Sequence, residues 1–355
     1  MPLPYRRHHL LSVLNLFKSG KTPLDVVIGK YFRAHKALGS KDRAWISETI
    51  YHYVRWKNLY DTLNLDPEAP LPQTADLPKY LQLGAPQKLL ELLVAAYGEE
   101  TAISICLTNQ TRAPLTLRVN TATSSRDALL QTLPGLPTLA SPYGITLTSR
   151  IHLPSLPEFK AGFFEVQDEA SQLSAFLVRP SPKSQILDYC AGAGGKALAI
   201  AQQMQGSGQL YLHDIRIHAL QEAKRRFKRA RFQQVQFNLP PKLHSMDWVV
   251  VDVPCSGTGT YRRNPDLKWK FEHSDLAALV QEQRHIFDAA FQYVRPGGTI
   301  VYITCSILPQ ENEEQATYFR EKYTLEQTET FQSLPVENGM DGFFAVALLT
   351  RGTNR

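Results

Sequence analysis

From about residue 161 onward, short runs of β-branched and aliphatic residues alternate with stretches of helical periodicity, and no other feature limits the possible folds as strongly. Residues 185–189, 209–213, 233–237, 247–251 and 299–303 read as strands, with helices near 196–204, 216–230 and 274–293 between several of them. This alternation predicts an α/β domain with a parallel, doubly wound sheet and right-handed crossovers. The run Trp248-Val249-Val250-Val251 is apolar without alternation, as a strand covered on both faces should be. Two late segments, near 323–329 and 343–349, are expected to complete the sheet as an antiparallel edge pair.

Open sheets of this kind bind ligands at the carboxyl ends of their strands, so the strand ends are where chemistry is to be sought. The first strand runs into Asp188-Tyr189-Cys190-Ala191-Gly192-Ala193-Gly194-Gly195-Lys196, a turn whose glycines let backbone approach a ligand. It is not a phosphate loop of the GxxxxGK[ST] type, because Ala197 follows the lysine and only two residues separate Gly192 from Gly195. ATP is therefore disfavoured. Asp214, after the second strand, stands where an acid bonds a ribose diol, which points to an adenosine-containing cofactor.

The fourth strand ends in Asp252-Val253-Pro254-Cys255-Ser256-Gly257, and the fifth in Thr304-Cys305-Ser306. Taken singly, Asp252 can cap a loop and either thiol can fill a small space. Two thiols at two strand ends suggest one site. A hydride transfer to or from NAD has no use for them, whereas methylation at C5 of a pyrimidine does: that carbon is weakly nucleophilic until a thiolate adds at C6. Asp252 would then protonate N3, and the second thiol would serve loss of the C5 proton.

Composition closes off other classes. With 43% hydrophobic and 20% charged residues in 355, the chain has the balance of a globular protein of two or three domains. No apolar run reaches the roughly 18 residues of a membrane span, and the N-terminus lacks an apolar signal core, so a cytoplasmic protein is expected. The four cysteines, Cys106, Cys190, Cys255 and Cys305, are widely spaced without a CxxC pair, which predicts neither disulfides nor a metal site. Cys106 is expected in the core. The first 60 residues hold eleven Lys or Arg against three acids, a balance of +8 in a chain of net +6. Such an excess suits phosphate backbones, although a merely solvated surface is as good a reading of composition alone.

The N-terminal part reads as three helices within 5–60 followed by a proline-rich linker at 62–76. Helical spacing resumes from Lys88 to Leu107, broken at Gly98. A strand at Leu115–Val119 and a helix at Ser124–Leu133 then indicate a small α/β unit. The basic run Lys224, Arg225, Arg226, Lys228, Arg229 and Arg231 fits an RNA track or, more ordinarily, a solvated helix face.

The segments VQDEASQL (166–173), LDYCAGAGGK (187–196), DVPCSGTGTYRRNPDLKW (252–269), TCSILPQENE (304–313) and DGFF (341–344) together resemble the RsmB/Sun family of RNA cytosine-5 methyltransferases. The resemblance implies a Rossmann-like S-adenosylmethionine-dependent methyltransferase domain at 161–355. It also implies a shortened NusB-like helical RNA-binding domain with linker at 1–75 and a small α/β pre-catalytic domain at 76–160. It implies Cys305 as the nucleophile, Cys255 as the residue assisting product release, and Asp252 and Lys196 as holding and protonating the cytosine. The cofactor would lie on Cys190, Ala191, Gly192, Ala193, Gly194, Gly195 and Lys196, with Asp214, Asp252 and Asn238. The last stands where the family has an acid, and Ala193 and Ala197 replace its usual proline and threonine. Arg262, Arg263 and Lys268 would meet RNA. The expected partner is RNA, ribosomal in preference to transfer RNA, acted on by a monomer. Two alternatives remain open: a nucleophilic Cys255, as in DNA cytosine methyltransferases, and an RNA-binding assembly factor with an inactive domain.

Overall fold

The computed structural model describes residues 4–18, 22–238, 241–272 and 275–352. They form two compact units, residues 1–112 with 260–274, and residues 113–259 with 275–355.

The second unit opens with a small antiparallel sheet of β1 (Thr116–Val119), β2 (Gly135–Pro137), β3 (Gly144–Leu147) and β4 (Phe164–Val166), in the order β2-β3-β1-β4. Leu117, Val119, Ile145 and Phe164 bury one core between this sheet and the helix Arg126–Leu130. The fourth strand lies beyond residue 160, so the small sheet reaches further along the chain than its sequence pattern indicated.

The larger sheet has seven strands: β5 (Gln185–Asp188), β6 (Gln209–Leu212), β7 (Val235–Phe237), β8 (Met246–Asp252), β9 (Val294–Thr304), β10 (Glu326–Ser333) and β11 (Phe343–Leu349). Their order is β10-β11-β9-β8-β5-β6-β7. Strands β5 to β9 run parallel, while β11 joins β9 and β10 joins β11 antiparallel. The uninterrupted apolar run of β8 is explained by its neighbours: Val250 packs with Ile186, Leu198 and Phe227 on one face, while Val249 and Val251 pack with Phe287, Tyr302 and Phe319 on the other. Order reverses between β5 and β8, and the loops leaving their carboxyl ends face the crevice that such a reversal opens.

Tyr323, expected at the start of a strand, instead ends the helix Glu313–Tyr323. Its aromatic residues recur at helical spacing; Phe319 stacks on Phe287 at 3.7 Å, and Tyr323 lies tilted against Phe291 at 4.1 Å. Tertiary packing overrides the β-propensity of the aromatics here.

The first unit contains helices Tyr5–Lys18, Leu24–Ala34, Ser40–Arg55 and Lys57–Thr62, whose apolar stripes meet around Leu10, Leu14, Ile28, Ile46, Ile50 and Val54. The helix Gln87–Gln110 leaves helical geometry at Gly98. Among the described residues no helix is long and apolar enough to cross a membrane.

Candidate active site

The turn after β5 carries two glycines in the left-handed region, Gly192 at φ +52° and Gly194 at φ +78°, and the helix Gly195–Gln203 starts directly after them. Any side chain at these positions would be strained. The turn is held from several directions. Ala191 N–H donates to His213 O at 2.9 Å, and Arg226 donates to Ala193 O at 2.8 Å. Gly192 N–H donates to Asp214 Oδ2 at 2.8 Å.

Asp214, at the end of β6, is 5% exposed, and its carboxylate has four donors. Besides Gly192, the Arg216 backbone N–H at 2.8 Å and its Nε at 3.0 Å reach Oδ1, and its Nη2 at 3.0 Å reaches Oδ2. Burial alone would raise the Asp214 pKa, but the Arg216 hydrogen bonds outweigh it and hold the carboxylate below its ordinary range. All four lone-pair sites are filled. Two of them are filled by the exposed guanidinium of Arg216, which can swing away.

Asp188, at the end of β5, is buried, and its Oδ1 has no hydrogen-bond partner among the described residues. Burial first, then the Asp252 charge, pushes its pKa up to about 8. A glycine turn at a helix N-terminus, a ribose-type acid and an unpaired buried carboxyl oxygen together fit a ligand carrying a ribose, an amine and a cationic centre. Asn238 closes β7 with a left-handed backbone at φ +56° and an exposed side chain. Cys190 is half-buried and its thiol is pushed far up by burial, so only its backbone suits the cofactor turn.

Beyond this turn the structure brings together four of the predicted residues. Lys196 Nζ donates to Asp252 Oδ2 at 2.7 Å and lies 5.0 Å above the Phe343 ring. Burial works against the Lys196 charge, but Asp252 more than compensates, and its pKa stands above the ordinary value. The Sγ atoms of Cys255 and Cys305 are 3.4 Å apart. Within this pair the hydrogen bond lowers the Cys305 pKa and, together with burial, raises that of Cys255 well above the usual thiol value. The hydrogen bond thus makes Cys305 the more readily ionised of the two thiols.

Glu311, to which the sequence reading gave no role, is what joins the two thiol loops. It is fully buried and accepts from Ser256 N–H at 2.8 Å, from Gln283 Nε2 at 2.9 Å, and from the hydroxyls of Ser256 and Ser306. Each thiol thus has, as its next neighbour in sequence, a serine bound to one shared carboxyl group. Its signal was present as the acid in PQENE, but only contact shows its purpose. A second junction adds DGFF: Gly342 N–H donates to Gly259 O at 2.9 Å, and a Cβ on Gly259 would stand 2.1 Å from Gly342 O. Asp341 N–H in turn meets Asp168 of VQDEASQL at 3.2 Å.

Two residues expected to meet RNA are instead interior. Lys268 is 1% exposed and its Nζ donates to Arg55 O at 2.6 Å, Gly84 O at 2.7 Å and Gln110 Oε1 at 3.3 Å. Arg262 is also 1% exposed, and its carbonyl accepts from Arg55 at 3.0 Å. The reason is Trp269, which inserts among the N-terminal helices and donates to Val54 O at 2.6 Å, carrying residues 260–272 into the first unit. Arg263 is half-buried. The basic run also divides: Arg226 and Arg229 pair with buried Glu165 at 3.0 and 2.6 Å, so they are structural. Cys106 is buried, its thiol pushed up to about 11 by burial. Among the described residues no group of His, Cys, Asp or Glu has the makings of a metal site.

A sheet of this order, with a glycine turn after β5 and an acid after β6, defines an S-adenosylmethionine-dependent methyltransferase. A family model described as "16S rRNA methyltransferase RsmB/F" matches residues 175–349, and one described as the ferredoxin-like domain of RsmF/B-like methyltransferases matches 85–152. "Ribosomal RNA small subunit methyltransferase B" of Vibrio vulnificus is 33% identical over 371 residues, covering 96% of this chain and 82% of its own. The chain belongs to the RsmB/Sun family of methyltransferases. In fold it is similar to the crystal structure of PH0851, with a TM-score of 0.84 at 19% identity, covering 98% of this chain and 99% of that one. It is also similar to NSun6 from Pyrococcus horikoshii, solved with SFG, with a TM-score of 0.64 at 19% identity over 74% of this chain and 98% of that one.

Proposed function

We propose that this protein methylates C5 of a cytosine in ribosomal RNA of the small subunit, with Cys305 as nucleophile and Cys255 assisting release. The observation that carries the reading is the pair of sulfurs 3.4 Å apart with the Lys196–Asp252 ion pair beside them, where the shared hydrogen bond lowers the Cys305 pKa. The Cys305 thiolate forms a bond to C6, and the electrons displaced onto N3 take a proton supplied by the Lys196–Asp252 pair. S-adenosylmethionine supplies an electrophilic methyl group on a sulfonium and leaves as a neutral thioether. With the methyl group bonded to C5, Cys255, having lost its own proton to solvent, takes the C5 proton, the N3 proton returns to the Lys196–Asp252 pair, and the C6–S bond breaks to return Cys305 as a thiolate. Cys255 is the neighbour of that departing sulfur. The residues fit for the cofactor are the turn 190–196, Asp214, Asp252, Asn238 and Asp188, the last supported by its buried, unpaired Oδ1.

The reading in which Cys255 attacks is disfavoured by the same hydrogen bond, which raises the Cys255 pKa while lowering that of Cys305. The family of the relatives and the basic N-terminal helices support an RNA substrate in the cytoplasm. Bisulfite sequencing of RNA from cells with and without the protein tests the proposal. A cytosine protected only in its presence is the expected result, and methyl transfer to RNA with no protected cytosine would overturn the C5 assignment.

A further inference from the structure

The basic helix Ile217–Ala230 has two faces with different uses. Arg226 and Arg229 point to Glu165, and Arg225 pairs with Glu222. Lys224, Lys228 and Arg231 recur at helical spacing along another face, are exposed, and have no carboxylate partner among the described residues. No Asp or Glu occurs between Ala223 and Met246, so nothing local offsets them. These three cations line a groove of about 430 Å³ whose floor is aromatic. Phe227 is buried at its base, and the part-exposed Phe232 and Phe237 stand edge-on to it at 6.3 and 5.8 Å.

Arg231 adds an independent sign. It ends the helix with a left-handed backbone at φ +64°, a position where glycine is the unstrained choice, yet it contributes a long cationic side chain to the groove. Cations over part-exposed aromatic rings are the combination that holds unpaired nucleotides, phosphates on the charges and a base against a ring.

We propose that this groove is a second RNA site, which takes a single-stranded segment flanking the target. It rests on RNA being the substrate but not on the cytosine-5 chemistry, which covalent adduct formation reports separately.

The test is fluorescence anisotropy of the full chain with a labelled unstructured oligopyrimidine and with a duplex RNA of equal length, across a salt series. The K224Q/K228Q/R231G variant is expected to bind the single strand at least about tenfold more weakly and to lose about 2 from its log–log salt slope, three contacts at about 0.7 each. Phe232→Ala should weaken single-strand binding about five- to a hundredfold and leave the duplex unchanged. Arg231→Gly alone keeps these readouts apart from folding, because it relieves the left-handed backbone: its melting temperature should hold or rise while affinity falls. An unchanged slope and affinity in the triple variant would overturn the site. Equal losses on duplex and single strand with Phe232→Ala would overturn the stacking of unpaired bases.

Discussion

Cys255 and Cys305, fifty positions apart in sequence, place their sulfurs 3.4 Å from one another, and the hydrogen bond between them makes one a better nucleophile and the other a poorer one. Two thiols in identical surroundings could not divide a reaction. The asymmetry comes first from the hydrogen bond they share, which favours charge on Cys305 and disfavours it on Cys255; Glu311 opposes charge on both, and Lys196 favours it on Cys305 against Asp252.

The division predicts opposite phenotypes. Cys305→Ala should abolish methylation and form no covalent adduct with RNA, whereas Cys255→Ala should still add and transfer methyl but accumulate an adduct that survives denaturing electrophoresis. The pH dependence of adduct formation is a second check. A lowered pKa keeps Cys305 ionised at lower pH, so removing its donor in Cys255→Ala should move the acid limb upward. Adduct with Cys305→Ala and none with Cys255→Ala would exchange the roles.

Arg216 fills two of the four lone-pair sites of Asp214, the sites a ribose diol needs. A ribose diol bound to Asp214 as proposed would therefore displace the guanidinium. Calorimetry should show S-adenosylmethionine bound a few-fold more tightly by Arg216→Ala and much more weakly by Asp214→Ala. Equal weakening in both variants would mean that Arg216 orients the carboxylate rather than competing for it.

Asp188 is held protonated, its pKa raised from 3.8 to about 8. Between those values the unfolded chain releases the proton and the folded one retains it. The folded state thus gains from Asp188 at low pH and loses that gain as pH rises toward 8. Asp188→Asn should remove this slope, so urea titrations should show the variant gaining on the wild type from about pH 4, by on the order of a few kcal/mol at pH 8. A constant difference across the range would mean the carboxyl is ionised.

The Lys268 ammonium has three acceptors for its three protons, so it is held as a charged group although burial pushes its pKa well down. Lys268→Met would take this donor from Arg55 O and Gln110 Oε1 and leave Gly84 O only its bond from Gln110 Nε2, at a cost of about 3 kcal/mol. Thermal unfolding should show the loss, with RNA binding of the still-folded protein at low temperature unaltered. A change in RNA affinity without a change in unfolding would return Lys268 to the RNA surface.

The strand–helix alternation, the two-sided burial of Val249–Val251 and the glycine turn were all legible in the chain, because each depends on residues close in sequence. Period and turn residues also placed Asp252, Cys255 and Cys305 at strand ends, while Lys196, in the helix after the glycine turn, was singled out only by the family resemblance. Glu311 was not legible as a brace, since an acid in a loop shows no partners until two other loops arrive beside it. Nor was the burial of Arg262 and Lys268, because a basic stretch inside a motif reads as surface until Trp269 is seen to draw it inward.

What the sequence determined by itself is the fold class and the chemical types available at the carboxyl edge of the sheet, since periodicity and turn residues act locally. Which thiol ionises more readily, which arginines are occupied by Glu165 and which lysine is interior were decided only by the tertiary structure. Charge state and exposure are set by burial and by neighbours within a few ångströms, and those neighbours come from positions 50 to over 200 residues away.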